Sequence, residues 1–334
     1  MPEKAPFFSV VIPSKDRAEL LFNCLSSLER QSIPPNEFEV IVVDDGSRKP
    51  LHESLASFSP RFSLAFLRQE NKGPAAARNA GAAAAKGKIL AFIDDDCTAD
   101  SEWLSSAKKI FLKEKVDIVE GATKIASPEK VCAISFQCEN LSGGNFLTCN
   151  IFYSKPCFDS LGGFDPVFSS PMCEDTDLAW RAKEKKFIIK FSPGSLVFHS
   201  VIPSNAFSFL SKRLNLKTSY WNVLLAAKHP LVYAKERAFL GLFNPVLVPN
   251  YPFYFSLAFF LFFPYPFFLR ALVLLAFYSL SVFLNTRLKQ GASMKRVFFH
   301  PFSLASSFFV VWLVAFAELF FTFLAAIKFR RVLF

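Results

Sequence analysis

An α/β fold with a mainly parallel central sheet, followed by apolar C-terminal helices, is what this 334-residue sequence predicts. Three observations carry that expectation. Over residues 1–200, short β-rich apolar runs alternate with stretches of helical spacing, as in a sheet covered by helices on both faces. Acids cluster where those runs stop, in the loops where open α/β sheets bind ligands. From Val246 onward the chain is almost continuously apolar, unlike anything before it.

In chain order, Phe8 to Ile12 is a short apolar run closed by Pro13 and reads as a buried first strand. Leu20, Leu21, Cys24, Leu25 and Leu28 then fall at helical spacing. Phe38 to Val43 is a second strand ending in Asp44-Asp45-Gly46-Ser47, and Phe62 to Leu67 a third. After Asn71-Lys72-Gly73-Pro74 an alanine-rich stretch runs through Ala85. Alanine is the strongest helix former, and Pro74 is tolerated in a first turn. Ile89 to Ile93 is the fourth strand and runs straight into Asp94-Asp95-Asp96, after which a helix over 101–113 and a strand over 116–120 complete the layer. Residues 121–200 are less regular. Leu141-Ser142-Gly143-Gly144-Asn145 and Leu161-Gly162-Gly163-Phe164-Asp165 are glycine-punctuated turns, and Glu174-Asp175-Thr176-Asp177 is an acidic helix start. A strand over 187–191 and the segment 195–199 close a domain whose limits are set at 1–205.

Residues 206–245 read as basic linker or juxtamembrane helices, and 246–334 as a membrane region with two or three apolar helices. The stretch from Val246 to Asn285 is too long for one span of about 20 residues, so two helices turning near Pro264 to Arg270 are preferred. Pro301 to Ile327, interrupted by Glu318, is a further candidate. Charge follows the same division. Residues 1–200 hold 24 Lys or Arg against 26 Asp or Glu, whereas 201–334 hold 14 against two. Basic charge beside long Phe and Leu runs suits membrane lipids as partners, and nucleic acid is excluded. The N-terminus, MPEKAPFF, lacks the apolar core of a signal peptide. The expected location is therefore the cell membrane, multi-pass, with the first domain on the cytoplasmic side. Seven cysteines, none in a CxxC pair, fit reduced thiols there.

Two carboxylates one residue apart at a strand end can share a hard divalent ion through oxygen, and Asp94 and Asp96 are so placed. Such an ion needs few protein ligands when substrate phosphates supply the rest, which implies a diphosphate-bearing substrate. No GxxxxGK[ST] is present, and Pro13-Ser14-Lys15-Asp16-Arg17 follows the first strand where a dinucleotide dehydrogenase would carry GxGxxG. Asp44 or Asp45 can accept hydrogen bonds from a nucleobase N–H or from ribose hydroxyls. Arg78 can steady a phosphate or hold an acid in place. Taken singly, each acid is also explained by a turn or a helix cap, Glu174 and Asp177 included. Three acid-bearing loops along one sheet edge are harder to explain that way.

The chain resembles the family 2 glycosyltransferases with a GT-A fold. The resemblance rests on Val11-Ile12-Pro13, Val43-Asp44-Asp45-Gly46-Ser47, Gly73-Pro74-Ala75-Ala76-Ala77-Arg78-Asn79-Ala80-Gly81, Asp94-Asp95-Asp96, Gly162-Gly163-Phe164-Asp165 and Glu174-Asp175-Thr176-Asp177-Leu178. It covers roughly residues 7–200. It implies a GT-A nucleotide-diphospho-sugar transferase fold, with Asp44 and Asp45 in the nucleoside site and Pro13, Asp16, Arg17, Arg78, Asp94 and Asp95 also on the donor side. Asp94 and Asp96 match the D-x-D motif that holds Mn²⁺ or Mg²⁺ on the donor diphosphate, and His199 lies where relatives sometimes add a metal contact. Asp175 matches the catalytic base, Glu174 is the alternative, and Asp177 organises the helix start or the acceptor loop. Trp180 can stack on a sugar face or pack into the core. The implied reaction is an inverting transfer from a nucleotide diphosphate sugar to a hydroxyl of a lipid-linked or saccharide acceptor, in cell-envelope polysaccharide or glycolipid synthesis. The Q-x-x-R-W signature of processive synthases is absent, since Trp180-Arg181 has the reverse order and lies too close to Asp175. Transfer of one or a few sugars is therefore expected. The competing expectations are a nucleotidyltransferase of the membrane surface, which lacks a basic glycine-rich loop after the first strand, and a non-catalytic membrane scaffold, which leaves the strand-end acids without a purpose.

Overall fold

The computed structural model describes residues 5–130, 138–168, 172–201 and 217–237. In chain order the elements are β1 (Phe8–Ser14), α1 (Ala18–Leu28), β2 (Phe38–Asp44), α2 (Leu51–Ser54), β3 (Ser63–Arg68), α3 (Pro74–Ala84), β4 (Ile89–Phe92), β5 (Cys97–Ala99), α4 (Trp103–Lys113), β6 (Ile118–Ile125), β7 (Ile151–Ser154), α5 (Lys155–Leu161), α6 (Glu174–Glu184), β8 (Ile189–His199), α7 (Lys217–Lys228) and α8 (Pro230–Arg237). The strands form one sheet in the order β3-β2-β1-β4-β7-β6-β8-β5.

The alternation of side chains along a strand explains the layering. Phe8, Val10 and Ile12 of β1 and Val40 and Val42 of β2 pack with Leu21, Leu25, Trp103 and Leu104 of α1 and α4. Val11, Ile41 and Val43 point the other way, into a second core with Ala75, Ala77 and Ala82 of α3, Phe158 and Leu161 of α5, and Leu178 and Ala179 of α6. α3 lies close against the sheet because its facing residues are small. A Cβ built on Gly81 would stand 2.4 Å from Val11 Cγ1, so this crossing admits no side chain. Trp180 goes to the core, at 2% exposure, rather than to a ligand face.

The sheet is mixed, which corrects the expectation of a mainly parallel one. β3, β2, β1 and β4 are parallel, but β7 runs antiparallel to both β4 and β6, and β5 runs antiparallel to β8. The cause is β7, a four-residue strand inside a stretch that shows no strand periodicity in sequence. Pro13 does not close β1 but lies within it, opposite Val43. Residues 187–191 and 195–199 also prove to belong to one strand, β8, whose pairing with β6 shifts register between Gly121 and Ala122. Asn150 sits at that shift. It accepts from Trp103 Nε1 at 2.8 Å and donates to the carbonyls of Ala122 at 2.7 Å and Ser195 at 2.8 Å.

The chain divides into two compact units. The first consists of residues 1–129 and 136–202, and the second contains α7 and α8. The expected multi-pass placement in the cell membrane, with a cytoplasmic first domain, is overturned. Among the described residues no helix is long and apolar enough to cross a membrane. The longest, α7, has 12 residues, which at 1.5 Å per residue reaches about 18 Å against a hydrocarbon core of about 30 Å. The apolar helices expected over 246–334 lie outside the described residues.

Candidate active site

The parallel half of the sheet brings the ends of β1, β2 and β3 level, with Ser14, Asp44 and Arg68 side by side. The turn 94–96, which leaves β4 and is closed by the Cys97 N–H on the Asp94 carbonyl at 3.1 Å, splays its three carboxylates toward different partners. Asp94 Oδ1 accepts from Arg78 Nη2 at 2.7 Å. Asp95 accepts from Ser14 Oγ at 2.7 Å and from Arg17 Nη1 at 3.0 Å. Asp96 Oδ2 shares that same Arg17 Nη1 at 3.1 Å. Its Oδ1 stands 3.5 Å from His199 Nε2.

Arg78, on α3 and 3% exposed, also donates through Nη1 to Glu174 Oε1 at 2.9 Å. One buried guanidinium therefore joins the turn after β4 to the first residue of α6. A buried arginine between two acids stays charged, because both partners favour its cationic form against the penalty of burial. Glu174 Oε2 has no hydrogen-bond partner among the described residues. Burial first, then the neighbouring charge of Asp175, pushes the Glu174 carboxyl up to about 8 despite Arg78, so it holds its proton at neutral pH.

Asp175 differs from its neighbour. It is half-buried, and its Oδ1 accepts from the Thr176 N–H at 2.6 Å and from Thr176 Oγ1 at 3.2 Å. Burial raises its pKa, against the opposing effects of the Thr176 bond and Arg78. The helix start is set by Cys173, whose φ of +67° is left-handed for a residue with a Cβ. Asp16, at φ +55°, is the other such residue beside the carboxylates. Strain of this kind, on the order of 1–2 kcal/mol each, persists where surrounding contacts over-determine the backbone. Asp177 accepts from Arg181, whose other nitrogens hold the carbonyls of Leu161 and Gly163, so it fastens the glycine turn to α6.

Asp44 and Asp45 are occupied differently. Asp44 accepts from the N–H groups of Ser47 at 2.8 Å and Leu51 at 3.1 Å, and Arg68 Nη1 lies at 3.4 Å. Asp45 accepts from Gln69 Nε2 and from the N–H groups of Lys72 and Gly73, all within 2.9 Å. Asp16 accepts from the Arg48 N–H at 2.8 Å and borders a cavity of about 380 Å³ also lined by Ala18, Arg48, Lys49, Leu51 and Ser54. The structure thus joins Arg17, Arg78, Asp94, Asp95, Asp96, Glu174 and His199 by direct contact. Asp16, Asp44 and Asp45 form a second network in the loops after β1 and β2. Ser14 links the two, since its carbonyl accepts from the Asp45 N–H at 3.0 Å while its hydroxyl donates to Asp95.

Geometry decides whether these donors can hold a cation. His199 Nδ1 lies 2.8 Å from the Ser200 carbonyl, which can only accept, so Nδ1 carries a proton and Nε2 is the nitrogen that faces Asp96. In the neutral imidazole Nε2 is an acceptor 3.5 Å from Asp96 Oδ1, and either a cation or a second ring proton between them satisfies both. Among the described residues, Asp96, Cys97 and His199 bring one ligand atom each within 4.8 Å of the others, so the residues fit a divalent ion. Asp94 stands beside this set, tied to Arg78. Two residues of the site, Ser14 and Cys97, escape a reading of the sequence. Ser14 follows a proline that reads as a strand stop, and Cys97 reads as an ordinary thiol, although its position directly after the acid triplet is visible.

Comparison with known proteins agrees with this layout. Residues 9–131 match the family model of glycosyl transferase family 2. A glycosyltransferase of Haloferax volcanii, AglE, is 29% identical over 226 residues, 64% of this chain and 72% of the relative. A validoxylamine A glucosyltransferase of Streptomyces hygroscopicus is 39% identical over 103 residues, but the match spans only 23% of its length. Among solved structures, a mannosyltransferase of Pyrobaculum calidifontis in complex with GDP-Man and Mn²⁺ superposes with a TM-score of 0.63 at 18% identity, over 96% of this chain and 88% of that one. Staphylococcus aureus TarS superposes at 0.52, also at 18% identity, over 93% and 79%.

Proposed function

The chain belongs to glycosyl transferase family 2 and is a glycosyltransferase with a nucleotide-sugar donor, and from that premise we propose that it transfers the sugar to an acceptor hydroxyl in one displacement that inverts the anomeric carbon. The observation that carries this reading is the contrast within the acid pair on α6. Glu174 is buried against Arg78, whereas Asp175 is half-buried and makes no hydrogen bond through Oδ2 among the described residues. Asp175 is therefore the base. It accepts the acceptor proton through that free oxygen as the acceptor oxygen attacks, and its raised affinity for a proton favours the transfer. Glu174 is a positioning residue that fixes Arg78 at one end while Asp94 fixes it at the other.

The donor occupies the ends of β1, β2 and β4. Asp44 and Asp45 shape the nucleoside loop from inside. Pro13, Asp16 and Arg17 border it, with Asp94 and Asp95 toward the diphosphate. The known donor complex of the mannosyltransferase neighbour, with GDP-Man and Mn²⁺, supports a nucleotide diphosphate sugar and a divalent ion here. TarS with UDP-GlcNAc, at a TM-score of 0.50, is consistent with either base. Mn²⁺ or Mg²⁺ held by Asp96 and His199, beside Asp94, would offset charge on the departing nucleotide diphosphate. The acceptor is a saccharide or lipid-linked hydroxyl compound, and one or a few sugars are added.

The test is donor hydrolysis and transfer by the full chain across a panel of nucleotide sugars with Mn²⁺ or Mg²⁺, alongside Asp96→Ala and Asp175→Ala. Asp175→Ala should lose about 10²–10⁴-fold in turnover while still binding donor. Asp96→Ala should lose its response to metal. Turnover that survives Asp175→Ala sinks the base assignment, and folded protein that binds no donor sinks the whole reading.

A further inference from the structure

We propose that the Cys97 thiol is the third protein ligand of the cation held by Asp96 and His199, which makes this a carboxylate–imidazole–thiolate site that takes Zn²⁺ or Co²⁺ in preference to Mg²⁺. The proposal rests on the reading that Asp96 and His199 face a divalent ion, and extends it to the ligand set and the kind of ion.

The sheet supplies the placement. Cys97 opens β5 immediately after Asp96, and the antiparallel register of β5 and β8 sets it directly opposite His199. Residues opposite each other in such a pair project from the same face, so imidazole and thiol are neighbours by construction. Cys97 Sγ lies 3.9 Å from Asp96 Oδ1, and His199 Nε2 lies 3.5 Å from that same oxygen. The three ligand atoms fall within 4.8 Å of one another. Bonds of about 2.0–2.3 Å to a tetrahedral ion place neighbouring ligand atoms roughly 3.3–3.8 Å apart, so small side-chain movements close the site. The oxygen that both nitrogen and sulfur approach is Oδ1, while Arg17 occupies Oδ2.

Two further thiols, Cys149 and Cys138, have their sulfurs 3.7 Å apart, with Thr123 Oγ1 3.8 Å from Cys149 Sγ, so the test has to separate them from Cys97. On binding, the Cys97 S–H bond breaks, its proton passes to solvent, and the electron pair forms the sulfur–metal bond, with no change of oxidation state. Mg²⁺ demands near-octahedral oxygen ligands and gains little from imidazole or sulfur, whereas Zn²⁺ and Co²⁺ accept both and stand above Mn²⁺ in intrinsic affinity.

The experiment is a titration of the full chain with Co²⁺ alone, without donor, reading the near-ultraviolet sulfur-to-cobalt charge-transfer absorption. The expected result is a band that saturates at stoichiometric Co²⁺, is displaced by Zn²⁺ and resists excess Mg²⁺. Cys97→Ser and Cys97→Ala should abolish the band and weaken Zn²⁺ binding by at least about tenfold, while Cys149→Ala and Cys138→Ala retain it. If Co²⁺ binds wild type and depends on Asp96 and His199 but gives no such band, the sulfur ligand is refuted while the carboxylate–imidazole site stands. Failure of folded protein to bind Co²⁺ at all refutes both. A band that persists in folded Cys97→Ala assigns the sulfur elsewhere and overturns the proposal. Should both Cys97 variants fail to fold, loss of the band in Cys149→Ala or Cys138→Ala overturns it equally.

Discussion

Two groups of acids stand at the ends of these strands, and they are satisfied in opposite ways. Asp44 and Asp45 spend their oxygens largely on backbone N–H groups of the neighbouring loops. Burial pushes the Asp44 carboxyl up, but the bonds from Ser47 and Leu51 and the charge of Arg68 outweigh it and hold the group below the ordinary range. Asp94 to Asp96, Glu174 and Asp175 are bound mainly by side chains, and burial dominates several of them. It raises Asp95 to about 6 and Glu174 to about 8, and lifts Asp96 and Asp175 as well. The same residue type therefore does two jobs. Bonds from backbone N–H groups make a carboxylate a permanent structural anion, whereas burial beside arginines leaves one ready to take a proton or a cation.

The largest effect that separates the groups should come from Arg78. Arg78→Ala takes their donor from the neutral, buried Glu174 and from Asp94 and is expected to cost about 3 kcal/mol in urea unfolding, as for polar groups left unpaired. A cost near zero would mean the acid network is not coupled through Arg78. The next effect is a slope. The folded state holds the Glu174 proton more tightly than the unfolded chain, so the stability contributed by this group is complete below the ordinary value of 4.5 and is lost as pH rises through about 8. Unfolding midpoints measured from pH 5 to 9 should fall across that range in wild type and fall less in Glu174→Gln. Equal slopes would remove Glu174 from the proton-holding group. Asp44→Ala, by contrast, should cost about 2 kcal/mol at neutral pH through three lost bonds. Because the folded Asp44 pKa is depressed, that difference should be present above the ordinary value of 3.8 and shrink as acid protonates the group. A difference that grows in acid would contradict the division. The smallest effect belongs to Gly46, at φ +77° in the Asp44 loop, where a Cβ would come within 2.9 Å of the Asn71 nitrogen. Gly46→Ala should cost about 1–2 kcal/mol and leave the pH slope of Glu174 unchanged.

Much of the parallel half is legible in the chain itself. β1, β2, α3 and the 94–96 turn announce themselves locally, through apolar runs, alanine content and the acid triplet. The antiparallel half is not, because β7 is four residues long and its partners, β4 and β6, are chosen by non-local packing. Both meanings of Asp44 and Asp45 are visible in the residues. Only the bonds to Ser47, Leu51, Lys72 and Gly73 expose the structural one. Asp175 and Glu174 are adjacent in sequence and equal in chemistry, and what separates them is the backbone turn at Cys173 and the reach of Arg78. Cys97 cannot be joined to His199 by reading the chain, since only the register of β5 on β8 brings them opposite.

Asn150 has a consequence for timing. Its amide bridges Ala122 and Ser195 at the register shift while its oxygen holds Trp103, and a Cβ on Gly121 would stand 2.2 Å from that oxygen. The stretch of β8 that ends in His199 can therefore slip past β6 only when this buried crossing opens. The expected outcome in hydrogen exchange is that amide protons flanking it are among the slowest to exchange. His199 is thus presented from a strand fastened at this crossing by Asn150.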